Sequence, residues 1–190
     1  MQLFHIIFMK SLAESLNKFS FEALKKANTG DNTENTIFSP YSAFVCVAMS
    51  SPLFQKQTRA EILKSLQVPE EFFQNFEAFL NLLKDLIAKE NTDKVSSSNR
   101  VWANEHINFS PETFSLNKDI LSIPVEKVDF PQPGCDRINE EVNSVTKGMI
   151  PKLVEPSDLS PQTAIALLNA IYFKCDWDKP FKTDPLSKSP

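Results

Sequence analysis

The chain has 190 residues, 42% of them hydrophobic, which is enough for one sizeable packed domain and excludes a disordered polymer. Its net charge of −4 argues against a nucleic-acid binder. Only three glycines are present, Gly30, Gly134 and Gly148, so neither GxGxxG nor GxxxxGK[ST] can be written and a Gly-rich phosphate loop is excluded.

Lys10–Ala27 predicts an amphipathic helix, with Leu12, Leu16, Phe19, Ala23 and Ala27 at helical spacing and Thr29-Gly30 ending it. A polar loop, Asp31–Asn35, and a very short strand, Thr36-Ile37-Phe38, follow. Ser39 is placed to cap a helix that has Pro40 at its first position, where a missing N–H does no harm. From Ala43 to Met49 that helix is apolar on every side, so it is expected to be central. Pro52 breaks it. Thr58-Arg59-Ala60-Glu61 reads as a capping box opening a helix through Leu66. Glu70–Glu90 is expected to be the longest amphipathic helix, striped with Phe72, Phe76, Phe79, Leu83 and Leu86 or Ile87.

Lys94–Ala103 predicts a strand interrupted by the polar run Ser96-Ser97-Ser98-Asn99. Ser110-Pro111-Glu112 is expected to cap a short helix to about Asn117. Leu121, Ile123 and Val125 suggest a second strand ending near Asp129-Phe130. After a turn at Pro131–Gly134, Asp136 caps a helix with Ile138, Val142 and Val145 inward, closed at Gly148. A loop from Pro156 to Pro161 leads to Ala164–Phe173, a nearly unbroken apolar run. Such a run predicts a strand covered on both faces. Its one polar residue, Asn169, needs hydrogen-bond partners if buried. Ser39 and Ser42, at the start of the buried helix, are the candidates. The last residues, Thr183–Pro190, are polar and rich in proline.

Three cysteines, Cys46, Cys135 and Cys175, form an odd set without CxxC and read as free thiols. A thiol enzyme needs a histidine beside one of them, and the chain has only His5 and His106. His106 falls in a predicted turn and reads as an exposed histidine. No His/Cys cluster has ligand spacing, so no metal site and no cofactor is expected. Glu140-Glu141 reads as a solvated helix face. Asn108-Phe109-Ser110 has the glycosylation pattern, but Pro111 follows it. No apolar run has transmembrane length, so no membrane partner is expected. Leu3–Phe8 is too short for a secretory h-region and no basic residue precedes it, which favours the cytoplasm. Met9 is an alternative start, with residues 1–9 as an extension.

The order of motifs carries a resemblance. Asn35-Thr36-Ile37-Phe38-Ser39-Pro40-Tyr41-Ser42 is similar to the N-x-x-x-SPxS segment that starts helix B of the serpins. Ser98-Asn99-Arg100-Val101-Trp102 resembles their strand 2A, and Val128-Asp129-Phe130 the end of strand 1A. Ile138-Asn139, Val142, Thr146, Gly148, Ile150, Leu153 and Val154 follow the helix F signature. Leu168-Asn169-Ala170-Ile171-Tyr172-Phe173-Lys174, with Asp176-Trp177 and Phe181, resembles strand 3A and its exit. The chain departs from the family pattern where Cys175, Leu53 and Lys56 replace usual glycines and Glu141 replaces a usual tryptophan.

The resemblance implies an α+β fold: the N-terminal part of a serpin, with helices A–F and strands 1A–3A and 6B around a large, incomplete sheet A. Residues 10–190 are then the N-terminal half of a single serpin domain. Serpins are inhibitors, not enzymes, found in the extracellular space as well as inside cells, and their partner is a serine protease, or a cysteine protease. The protease cuts an exposed reactive-centre loop, which inserts into sheet A and drags the acylated enzyme along. That loop is absent from these residues, so the chain is not expected to inhibit alone. Ser39, Pro40, Ser42 and Asn169 correspond to the shutter under the centre of sheet A, and Trp177 to the breach, where insertion begins. The alternative reading is a truncated, non-inhibitory interaction module, in which strand 3A pairs with the sheet of another serpin.

Overall fold

The computed structural model describes residues 2–27, 37–88, 92 and 94–180. Thr29-Gly30, the loop Asp31–Asn35, Thr36, Phe181 and the tail Thr183–Pro190 lie outside these. Seven α-helices and three strands follow one another among the described residues: α1 (Gln2–Ala27), α2 (Pro40–Ser50), α3 (Lys56–Ser65), α4 (Glu71–Gln74), α5 (Phe76–Ile87), β1 (Val95–Asn104), α6 (Ser115–Asp119), β2 (Val125–Val128), α7 (Gln132–Val145) and β3 (Ile165–Phe173). None of these helices is long and apolar enough to cross a membrane.

The sheet has the order β2-β1-β3. β1 is parallel to β2, with Asn104 opposite Val128, and antiparallel to β3, with Asn99 opposite Asn169. Side chains alternate across it. Val101 and Ala103 join the larger core, formed by α1, α2, α3 and α5 around Leu12, Phe44, Met49, Leu63, Phe72, Phe79 and Leu83. Trp102 faces the other way, onto a smaller core with Val128, Phe130, Ile138, Val142, Leu168 and Ala170 beneath α7. Aromatic edges knit the larger core: Phe8 meets Phe72 at 4.9 Å between ring centroids, and Phe19 meets Phe44 at 5.6 Å. Contacts of this kind add about 0.5–1.5 kcal/mol each beyond simple burial, which gives the phenylalanine-rich composition a structural use.

Several elements depart from the sequence expectation, each for a local reason. α1 begins at Gln2 rather than Lys10, and Phe8 and Met9 already pack on the core. α3 begins at Lys56 without a side-chain cap, so Thr58 lies inside it and the capping box does not form. The predicted long helix over residues 70–90 is split at Asn75, whose side chain accepts from the Ala78 N–H and caps α5. α1 is therefore the longest helix. Ser110 makes no N-cap bond; its hydroxyl donates to the Glu112 carboxylate. α7 opens at Gln132, four residues before Asp136, which instead accepts from the Gln132 side chain. Ile37-Phe38 forms no strand; Ile37 is wholly exposed, and no described strand lies beside it to complete a ladder. The serine-rich run does not interrupt β1, because its main chain pairs with β3 throughout.

The return from α7 to β3 is tied down by its own side chains. Asn139 accepts from the Leu153 and Val154 N–H groups at 2.7 and 3.0 Å and donates to the Val154 carbonyl at 2.9 Å. Thr146 accepts from the Ile150 N–H at 3.0 Å. These bonds lay residues 150–154 back along the helix.

Candidate functional site

The centre of β3 carries the candidate site. α2 packs along this strand, over the face that bears Leu167 and Asn169. At the start of α2, Ser39 has extended dihedrals, φ −104° and ψ 95°, and its hydroxyl oxygen accepts from the Ser42 N–H at 3.3 Å. Pro40 occupies the first helical position as predicted. The Ser39 hydroxyl also donates to Ser42 Oγ at 3.1 Å. On the sheet, the Asn169 Nδ2 donates to Asn99 Oδ1 at 2.7 Å. Among the described residues, no hydrogen bond joins the serine pair to the asparagine pair. Register explains this: Asn99 stands directly opposite Asn169 and reaches it without help from α2. The Asn169 Oδ1 is buried and has no partner among the described residues.

Sequence reasoning missed Asn99 as the partner, although Ser98-Asn99-Arg100 lay within a quoted motif. The missing information was the strand register. Trp177 stands apart from these residues, in the irregular segment after β3, and is 72% exposed.

The edge of β3 is the second part of the site. Lys174 N–H bonds Lys94 O and Asn104 N–H bonds Ala164 O, so the even-numbered residues of β3 bond to β1. In an antiparallel ladder the alternate residues then face outward. Leu167, Asn169 and Ile171 therefore direct main-chain N–H and C=O groups to an edge with no described strand beside it. The Cys46 thiol reaches the Leu167 carbonyl at 3.8 Å.

Beneath α7 the sheet carries charge. Glu141 accepts from Ser98 Oγ at 2.5 Å and from Arg100 Nη2 at 3.2 Å, and Arg100 also lies 3.6 Å from Glu126. Arg137 bridges Glu126 and Glu140 at 3.1 and 2.7 Å; these bonds, led by the one to Glu126, raise its pKa further. Glu141 is thus not on a solvated face. It falls on the inward stripe of Ile138, Val142 and Val145, which the sequence had reserved for apolar residues.

Two of the thiols are poorly placed for thiol chemistry. Burial pushes the Cys46 and Cys135 thiols up, away from the reactive thiolate. His106 lies beside carboxylates, 3.0 Å from Asp129.

A mixed sheet with an apolar strand at one edge, beside which no described strand lies, sits between a central buried helix and a crossing helix. The serpin (serine protease inhibitor) family model matches residues 14–190, and the chain belongs to that family. It is 30% identical over 190 residues to a leukocyte elastase inhibitor of Xenopus laevis, covering 96% of this chain and 49% of the relative. It is 30% identical over 187 residues to a serine protease inhibitor of Mus musculus, covering 94% and 41%. Among solved structures, human thyroxine-binding globulin has the same fold, with a TM-score of 0.77 at 23% identity, over 94% of this chain and 48% of that one. The chain spans about half the length of the curated relatives it matches.

Proposed function

We propose that these residues serve a serpin-type inhibitor of serine proteases as the half that receives the inserted strand. The free edge of β3 carries this reading. Its outward main-chain groups at Leu167, Asn169 and Ile171 are a template for strand addition. Beside that edge the buried Asn169 Oδ1, without a partner among the described residues, leaves an acceptor open. In this mechanism a protease attacks a loop presented outside these residues and forms an acyl-enzyme. The cut loop then adds beside β3 and carries the bound enzyme with it. Ser39, Pro40, Ser42 and Asn169 gate the opening of the sheet, and Trp177 marks the end at which insertion starts. None of them performs catalysis; the protein is an inhibitor, not an enzyme. Residues 10–190 form half of one domain, and residues 2–9 belong with it as the first turns of α1.

On this reading the 190 residues present the receiving edge without the bait. Incubated with a panel of serine and cysteine proteases, the chain is expected to leave their activity unchanged and to form no SDS-stable adduct. An adduct would overturn this division of labour. The same edge favours a second reading, in which β3 adds to the sheet of another serpin chain. Size-exclusion chromatography at rising concentration separates the two, since a compact monomer throughout would exclude self-pairing.

A further inference from the structure

Away from the β3 edge, the turn after β1 gathers three metal-ligating side chains. Glu105 and His106 directly follow β1, and Asp129 directly follows β2. The parallel pairing of Asn104 with Val128 sets these two strand ends side by side. The frame is fixed. Glu105 N–H donates to the Val128 carbonyl at 2.9 Å, and the buried Asn104 side chain accepts from His106 N–H at 2.9 Å. The same side chain donates to the carbonyls of Pro161 and Thr163 at 3.0 and 2.9 Å.

On that frame His106 Nε2 lies 3.0 Å from Asp129 Oδ1 and 3.9 Å from Glu105 Oε1, and one ligand atom from each side chain falls within 4.8 Å of the others. Among the described residues, neither carboxylate forms an ion pair with a lysine or arginine. Tetrahedral ligands about 2.0–2.1 Å from zinc are about 3.3 Å apart. The two separations from the imidazole bracket that value, and rotation of the Glu105 side chain would bring the third ligand atom in from its position within 4.8 Å.

We propose that Glu105, His106 and Asp129 form a surface site for a divalent transition-metal ion of the zinc class. One imidazole nitrogen and two carboxylate oxygens bind the ion, and the fourth position is left to water. The imidazole selects this class over calcium and magnesium, which take oxygen ligands in larger number. The metal takes the Nε2 lone pair, so the ring of a neutral His106 carries its proton on Nδ1. An imidazolium releases one proton to solvent. The ion then clips the end of β1 to the end of β2. Sequence reasoning missed the set because Asp129 is 23 positions from His106 and only the register joins them.

Calorimetric titration of the chelator-treated chain with zinc chloride tests this. The expected result is one saturable site, weakened at least about tenfold in both His106→Ala and Asp129→Asn, and unchanged in Glu155→Gln, which lies elsewhere. Calcium chloride is expected to give no heat of binding. Cobalt is expected to give a visible spectrum without a thiolate charge-transfer band. No saturable zinc uptake, equal affinity in His106→Ala, or a cobalt–thiolate band would each overturn the proposal. The last would assign the metal to a cysteine. Unaltered circular dichroism of the exposed-site variants keeps the comparison free of unfolding.

Discussion

Asn99 and Asn169 face each other across the β1–β3 ladder and share one short hydrogen bond. Such a bond contributes about 1 kcal/mol net, and more is lost when a buried partner is stranded. A double-mutant cycle with Asn99→Ala and Asn169→Ala in urea unfolding is expected to give a coupling of about 0.5–1.5 kcal/mol; a coupling of zero would break the pair. Lys56 offers a second test. Its φ of 50° places a lysine in the left-handed region at the opening of α3. Lys56→Gly is expected to raise stability by about 0.5–1 kcal/mol, because the relieved strain exceeds the extra chain entropy glycine loses on folding. The thiols supply a third. Burial raises Cys46, and it raises Cys135 together with nearby Asp136. A raised folded pKa means the native state holds its proton longer than the unfolded chain. The associated stability is fully present below the unfolded thiol pKa, about 8.5, and is lost as pH rises through the folded value. The urea midpoint is therefore expected to fall on alkaline titration, and to fall less in Cys46→Ala. At neutral pH iodoacetamide is expected to label exposed Cys175 first.

At the scale of elements, α7 is held to the sheet by an apolar row and by one carboxylate within that row. Glu141→Ala removes the acceptor of Ser98 and the nearer of Arg100's two carboxylate partners beneath the helix, a loss of about 1–3 kcal/mol. Hydrogen exchange is expected to quicken in α7 while α2 and α5 keep their protection; uniform exchange would sink this assignment. Gly134 is fixed by shape, since a Cβ there would sit 2.5 Å from the Phe130 ring. Much of this was legible in the sequence. Ser39-Pro40 announced α2, because capping leaves a local mark, and the apolar run announced β3, although only Leu168 and Ala170 of that strand are fully buried and its expected two-sided cover is incomplete. The break at Asn75 was not legible, because the phenylalanine stripe runs on across it. Glu141 was misplaced because its partners, Ser98 and Arg100, come from β1, far from α7 in sequence. Asn99 was hidden for the same reason: register is a property of two strands, and one sequence segment does not state it.

At the scale of the whole molecule, the proposed strand addition at the β3 edge, beside which no described strand lies, has a direct test. Ile171→Pro removes one outward N–H while leaving the bonds to β1, which use the even-numbered residues. Less concentration-dependent self-association than in the parent is expected in light scattering; equal association would place the contact elsewhere. The strand order has a temporal side as well. β1 lies in the middle of the sheet, yet the residues that flank it as β3 are made only after α7 and the return loop. On the ribosome β1 waits, with one ladder unfilled, through the synthesis of more than half of the remaining described chain. The serines at positions 96–98 make that half of the waiting strand polar, which lowers its apolar exposure until the antiparallel partner emerges.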